Sequence, residues 1–187
     1  MFVVLVWGVV LWKTIDLDMF YKRNITMKVF LKDDLETDNM SVMIRKILDS
    51  KGKEYRHSLK VDRIDFFVNK SVFNHIHIRS VSKLNLKKEF FVDFEIPLMI
   101  LKEGFYKISL TTNQASYLYI DGKELASLKE TKNLEEKDIT VFMEEGYHNV
   151  KLLYFQMPGA KGLKLSYVPS GSNKNYLFGQ NSEYVSF

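Results

Sequence analysis

The sequence predicts a mainly β protein: an antiparallel β-sandwich with one amphipathic helix and a hydrophobic N-terminal segment. Three observations carry this reading. From residue 60 onward apolar residues recur with a period of two, as half-buried strands require. Turn-forming residues punctuate these runs at intervals of about 8 to 12 residues, the spacing of sandwiches and barrels. Only one window, at 40 to 51, shows helical spacing.

The chain opens on "MFVVLVWGVVLW", an uncharged run that Lys13 ends. It is short of the about 20 apolar residues a spanning helix needs, and it lacks the positive start of a signal peptide. Three readings stay open for residues 1–13: the end of a signal-anchor helix, a short anchor lying partly in the bilayer, or a buried Val-rich strand. Trp7 and Trp12 suit a membrane interface and favour an anchor over residues 1–12. Lys13, Lys22 and Arg23 follow the run and argue for a cytoplasmic downstream side.

Residues 14–56 read as a strand and helix extension. "TMKVFLK" is the strand. "KDDLETDN" lacks the glycine an EF-hand loop needs and reads as a solvated turn that caps a helix. Asp38, Asn39 and Ser41 are all N-cap types. Met40, Met43, Ile44, Ile47 and Leu48 follow at helical spacing, and Gly52 is placed to end the helix.

Residues 57–170 form the β region. "RIDFFVN", "HIHIRSV", "EFFVDFEIPL", "GFYKISL", "SYLYIDG", "ITVFMEE", "HNVKLLYF" and "GLKLSYV" read as strands. Their turns fall at Asn69-Lys70-Ser71, Lys102-Glu103-Gly104, Asp121-Gly122-Lys123, Glu144-Glu145-Gly146 and Pro158-Gly159. Alternation puts Tyr106, Ile108 and Leu110 on one face of their strand, as it does Val150, Leu152 and Tyr154, and Leu163, Leu165 and Tyr167. Residues 171–187 start as a Ser/Gly/Asn linker and end in an aromatic-rich tail, which forms a last strand or docks on a partner.

Composition excludes several classes. The chain has no cysteine, so disulfides, thiolate catalysis and Cys-based zinc sites are out. The net charge of +4 is spread through mixed lysines and acids, without the basic stripe of a nucleic-acid binder. No nucleophile elbow, P-loop or dinucleotide fingerprint occurs. His75 and His77 share a strand face as i and i+2, but a metal would need a third ligand that the pattern does not supply. The sequence therefore predicts no enzyme, no cofactor and no metal site.

Five pieces occur in order: Glu103-Gly104-Phe105-Tyr106, Tyr117-Leu118-Tyr119-Ile120-Asp121-Gly122-Lys123, Glu145-Gly146-Tyr147-His148, Leu153-Tyr154-Phe155-Gln156 and Leu163-Lys164-Leu165-Ser166-Tyr167. Together they resemble a PA14 domain over residues 57–170. The resemblance implies a β-sandwich used for binding or structural support more often than for catalysis. In sugar-binding members two consecutive aspartates follow the first of these strands and hold a calcium ion that ligates carbohydrate hydroxyls. Here the place reads "TTNQASYLYIDG", with Thr112, Asn113 and Gln114 where the acidic pair would stand. Neutral carbonyls lack the charge that calcium sites draw from carboxylates. A residual ligand site would use Asn113, Gln114 and Asp121.

Large aromatics also alternate with the core positions. Tyr117, Tyr119 and Phe155, with Tyr176 and Phe178 in the tail, are candidate partner-binding residues if one sheet face is solvated. The alternative is that the helix or the tail covers that face. The functional expectation is a non-catalytic, membrane-tethered scaffold or interaction domain in a bacterial envelope assembly, for example a periplasmic motor- or secretion-associated ring. Its partners would be other envelope proteins and, through residues 1–12, the membrane, with the domain in the periplasm or at the cell surface. The alternative expectation is a carbohydrate- or cell-wall-binding module.

Overall fold

A computed structural model describes residues 24–37, 39–49, 57–67, 89–129, 133–156 and 162–187. The anchor-like residues 1–12, the His75/His77 pair, and the turn, cap or break positions Asp38, Gly52, Asn69-Lys70-Ser71 and Pro158-Gly159 lie outside them. Among the described residues no helix is long and apolar enough to cross a membrane.

Strands β1 (Ile25–Leu31), β2 (His57–Val61), β4 (Phe90–Ile100), β6 (Ala115–Ile120), β7 (Lys123–Leu128), β9 (Gly146–Gln156) and β12 (Val185–Ser186) build a seven-stranded sheet. Its order is β2-β1-β4-β9-β6-β7, with β12 paired to the far end of β4. Strands β3 (Asp65–Phe67), β5 (Gly104–Thr112), β8 (Glu135–Met143), β10 (Gly162–Pro169) and β11 (Tyr176–Leu177) build a five-stranded sheet in the order β11-β10-β5-β8, with β3 also on β10. All pairings are antiparallel. The two sheets pack as a sandwich, because each has one apolar face that must leave water.

The period-two reading holds where it was strongest. Tyr106, Ile108 and Leu110 of β5, Val150, Leu152 and Tyr154 of β9, and Leu163, Leu165 and Tyr167 of β10 all sit in one buried core. In β4 it is Phe90, Val92, Phe94, Ile96, Leu98 and Ile100 that point inward. β7, which alternation does not announce, pairs with β6 across a register shift at Leu118/Tyr119. β8 starts at Glu135, ahead of the apolar "ITVFM", because its charged first half pairs with β5 while lying in solvent.

Helix α1 (Met40–Asp49) starts where Asn39 caps it. The Asn39 Oδ1 accepts hydrogen bonds from the backbone N–H of Ser41 (3.0 Å) and Val42 (3.3 Å), satisfying two otherwise orphaned donors. Met43 and Ile47 on its apolar side join Phe30, Leu35, Phe91, Ala115, Leu153 and Phe155 in a second buried cluster. That cluster is formed by the outward side chains of the seven-stranded sheet. Both faces of this sheet are therefore covered over part of its area.

The sandwich includes residues on both sides of 57–170. β1 is an interior strand of its sheet, and the tail pairs with β4 and β10. The tail is locked by backbone bonds from Ile64 N–H to Phe178 O (3.1 Å) and from Phe178 N–H to Leu165 O (3.0 Å). Gly179 has a positive φ and lies so close to Asp62 that a Cβ there would sit 1.9 Å from the Asp62 carbonyl oxygen. No other residue type fits that crossing.

Candidate functional site

The candidate ligand residues belong to two turns at opposite ends of β6. Asn113 and Gln114 form the turn between β5 and β6, and Asp121 lies in the turn between β6 and β7. Six strand residues separate them, which is about 20 Å at the strand rise. The three residues do not make one site.

At the first turn, Thr112, Asn113 and Gln114 are all buried. The Thr112 hydroxyl closes the turn on itself: its Oγ1 accepts from the Gln114 N–H (3.0 Å) and donates to the Gln114 carbonyl (3.2 Å). Ser116 Oγ donates to the same carbonyl (3.2 Å). Hydroxyls thus occupy backbone groups that an open ligand loop would leave for its ligand. Asn113 and Gln114 are interior packing residues with only 6% and 2% of their surface exposed. Among the described residues no group of three or more His, Asp or Glu is placed to hold a metal ion.

At the second turn, Asp121 (φ 50°) and Gly122 (φ 79°) both take positive φ, as a tight two-residue hairpin demands. Asp121 Oδ1 accepts from the Asn149 N–H (2.8 Å), and Oδ2 lies 2.6 Å from His148 Nδ1. His148 Nε2 lies 2.9 Å from the Glu144 carbonyl. Both ring nitrogens face oxygen acceptors; a protonated ring donates to both, a neutral ring to only one of them. Partial burial pushes the His148 pKa down, but the hydrogen bonds to Asp121 and Glu144 outweigh it and the pKa stands above its ordinary value. Burial likewise pushes Asp121 up, and the Asn149 amide and His148 overcome it to leave the carboxyl below its ordinary value. All three of these polar contacts are internal. They fix the β6–β7 turn to the β8–β9 turn, a structural clamp with no ligand needed.

The aromatic candidates divide between the two readings the sequence leaves open. Phe155 is fully buried beneath α1, against Phe91 (ring centroids 4.7 Å apart) and Tyr117 (5.8 Å). Phe178 is also buried, edge-on to Tyr167 at 5.6 Å. Neither is available as a surface anchor, because the helix covers the first and the tail folds the second into the core. Tyr176 is half-buried, stacked on Tyr167 at 5.3 Å. Tyr117 and Tyr119 are half-buried beside the helix, packed on its cluster.

The residues that are exposed were not singled out as a group from the sequence. Phe105 and Phe142 face each other across β5 and β8, ring centroids 5.3 Å apart, with 57% and 51% of their surfaces in solvent. A second feature lies on the outward face of the seven-stranded sheet. Asp93 is 1% exposed, with Oδ2 3.3 Å from Lys151 Nζ and Oδ1 buried without a hydrogen-bond partner. Burial is the main cause that lifts its pKa to about 6, against the opposing pull of Lys151. The alternation of "FFVDFEIPL" places Asp93 on the outward face, but only the packing around it shows that this face is closed there.

No family model matches the sequence, and no curated protein matches it either. Solved structures do share the fold. The PA14 domain of the MpAFP antifreeze protein superposes with a TM-score of 0.61 at 14% identity, over 83% of this chain and 87% of that one. A PA14 sugar-binding domain from an RTX adhesin gives 0.61 at 11% identity, over 83% and 94%. An anti-sigma factor domain-containing protein from Clostridium clariflavum gives 0.58 at 16% identity, over 83% of this chain and 44% of that one. The fold of this chain is a PA14-like β-sandwich.

Proposed function

We propose that this chain is a non-catalytic interaction domain that keeps the PA14 sandwich and does not use it for calcium-dependent sugar binding. The observation that carries the reading is the β5–β6 turn. Where sugar-binding members of the family have two aspartates, Asn113 and Gln114 are buried and the turn is closed by Thr112 and Ser116. A calcium ion has there neither carboxylate charge nor a path to solvent. No nucleophile–base pair emerges from the described clusters, and the clamp at His148 is fully engaged in holding two turns. The hydrophobic residues 1–12 support a membrane tether, and with it a place in an envelope assembly.

The test is titration calorimetry and a glycan array, each with and without millimolar calcium, together with the melting temperature under the same conditions. The expected result is no glycan signal and no calcium-dependent shift, because a ligand stabilises only the state that binds it. Glycan binding that appears with calcium would overturn the reading in favour of the carbohydrate-binding alternative.

A further inference from the structure

One end of the sandwich is apolar and acidic at once. The β4–β5 connection (residues 101–103) and the β8–β9 connection (residues 144–145) cross between the sheets side by side, since Ile100 pairs with Gly146 and Gly104 with Met143. Four of the six large apolar side chains exposed among the described residues flank these crossings: Leu101, Phe105, Phe142 and Tyr147, the last 84% exposed. Exposed aromatics gathered in one place are the composition of a contact surface rather than of a random exterior.

The charges at this end do not cancel. Lys102 is taken by Glu183 (3.1 Å) and Lys107 by Asp138 (2.6 Å). Asp121 is taken by His148. Glu103, Glu144 and Glu145 remain as exposed carboxylates, against two exposed lysines at this end, Lys123 at the start of β7 and Lys174 in the turn after β10, which lies over the Tyr176 ring. A partner for this end must therefore be apolar and basic.

The same chain contains such a segment. Residues 69–88, "NKSVFNHIHIRSVSKLNLKK", carry Lys70, Arg79, Lys83, Lys87 and Lys88 and no acid, with aliphatic residues interleaved. The segment is attached at the opposite end of the sandwich. It leaves β3 at Phe67, which pairs with Gly162, and re-enters before Phe90, which pairs with Gln156. Reaching the acidic end of its own domain means travelling the length of β4, eleven residues, or about 35 Å out and as much back. The 21 residues from 68 to 88 span at most about 70 to 75 Å when fully extended. No length is left to lie across the surface. A second copy has no such limit.

We propose that copies of this chain associate head to tail, the acidic aromatic end of one receiving the basic segment 69–88 of the next. The two surfaces differ, so the head-to-tail contact is heterologous and builds a ring or an open array of more than two copies. This deepens the interaction-domain reading and rests on it, naming the chain itself as the partner.

The experiment is sedimentation velocity of the full 187-residue chain across a concentration series, paired with titration of a synthetic 69–88 peptide into it. The expected result is a mass that rises past the dimer, and peptide binding at least tenfold tighter than that of a shuffled peptide of the same composition. Glu103→Lys with Glu144→Lys and Glu145→Lys should weaken both at least tenfold. So should Phe105→Ser with Phe142→Ser, at sites exposed enough to leave the melting temperature near that of the parent. A monomer at every concentration, a dimer that grows no further, equal binding of the shuffled peptide, or self-association that survives both sets of changes would each overturn the inference. Glycan binding in the calcium experiment would instead strike the interaction-domain reading, so the two failures are told apart.

Discussion

The two turns that flank β6 are built from similar polar residues and held by different physics. The Thr112–Gln114 turn is buried and closed by neutral hydroxyls. The Asp121–Gly122 turn is exposed and held by a charged pair reaching to His148. The first depends on packing and resists changes of pH and salt. The second depends on protonation and is screened by salt. A chain that has to keep a ligand loop open would show the reverse at the first turn. The contrast puts buried, self-satisfied polar groups at one end of β6 and solvent-facing charge at the other.

The largest effects should come from the strand between the turns. Leu118 and Leu152 face each other across β6 and β9, both fully buried. Leu118→Ala or Leu152→Ala should each cost about 2 to 5 kcal/mol, as core truncations do, read from urea denaturation. Because the two side chains share one contact region, the double change should depart from the sum. A cost under about 1 kcal/mol for either would mean that β6 does not link the turns through the core, and the comparison would lose its common frame.

Asp93 offers the next largest effect and a buried-charge counterpart to the Asp121 clamp. Its folded pKa is raised from 3.8 to about 6. The folded state therefore holds the proton more tightly than the unfolded one. The resulting stability is fully present below pH 3.8 and is lost as pH rises through about 6, a change of about 3 kcal/mol for a shift of that size. Asp93→Asn should remove the dependence and leave the protein more stable than the parent at pH 7. The measurement is the difference in unfolding free energy between parent and variant at pH 4, 5.5 and 7. A flat difference would show that Lys151 neutralises the carboxylate in full.

At the closed turn itself, Asn113→Asp with Gln114→Asp restores the acidic pair of the sugar-binding pattern. Placing two carboxylates where the side chains are buried should lower stability by about 1 to 3 kcal/mol. If the double variant then melts higher in millimolar calcium while the parent does not, the backbone still has the geometry of a calcium loop and only the residue types have changed. If the variant is as stable as the parent without calcium, the turn is open to solvent and the contrast between the two turns fails.

Much of the fold was legible because period-two alternation is a local signal. β4, β5, β9 and β10 and their inward faces could be named from spacing, as could α1 and its Asn39 cap. β7 could not, since "KELASL" has no clean alternation and pairs with β6 through a register shift. The sequence leaves open whether Phe155 and Phe178 face solvent or lie covered, for a non-local reason. Alternation says that Phe155 points away from the sandwich core, but not that α1, more than a hundred residues earlier, lies on top of it. Phe178 likewise sits in a polar tail whose docking depends on a close approach at Gly179 that no local pattern announces. The Asp121–His148 clamp spans 27 residues; each partner stands in a recognisable motif, but their meeting is a property of sheet order.

The smallest expected effect belongs to that clamp, and it isolates charge from packing. His148 has a raised folded pKa, so its contribution is complete below its ordinary value of 6.5 and is lost as pH rises through the folded value. Asp121 has a lowered folded pKa, so its contribution is complete above 3.8 and is lost as pH falls through the folded value. The clamp is at full strength between these limits. Half of the Asp121 side-chain surface is exposed, so solvent screening holds the pair to about 1 kcal/mol or less. His148→Gln keeps an amide able to reach one of the two acceptors but cannot carry charge. The melting temperature of the parent should exceed that of the variant at pH 6, the gap should shrink with added salt, and it should close as pH approaches 9. A gap of the same size at both pH values would show that a neutral hydrogen bond suffices, and the two turns would then differ in exposure alone.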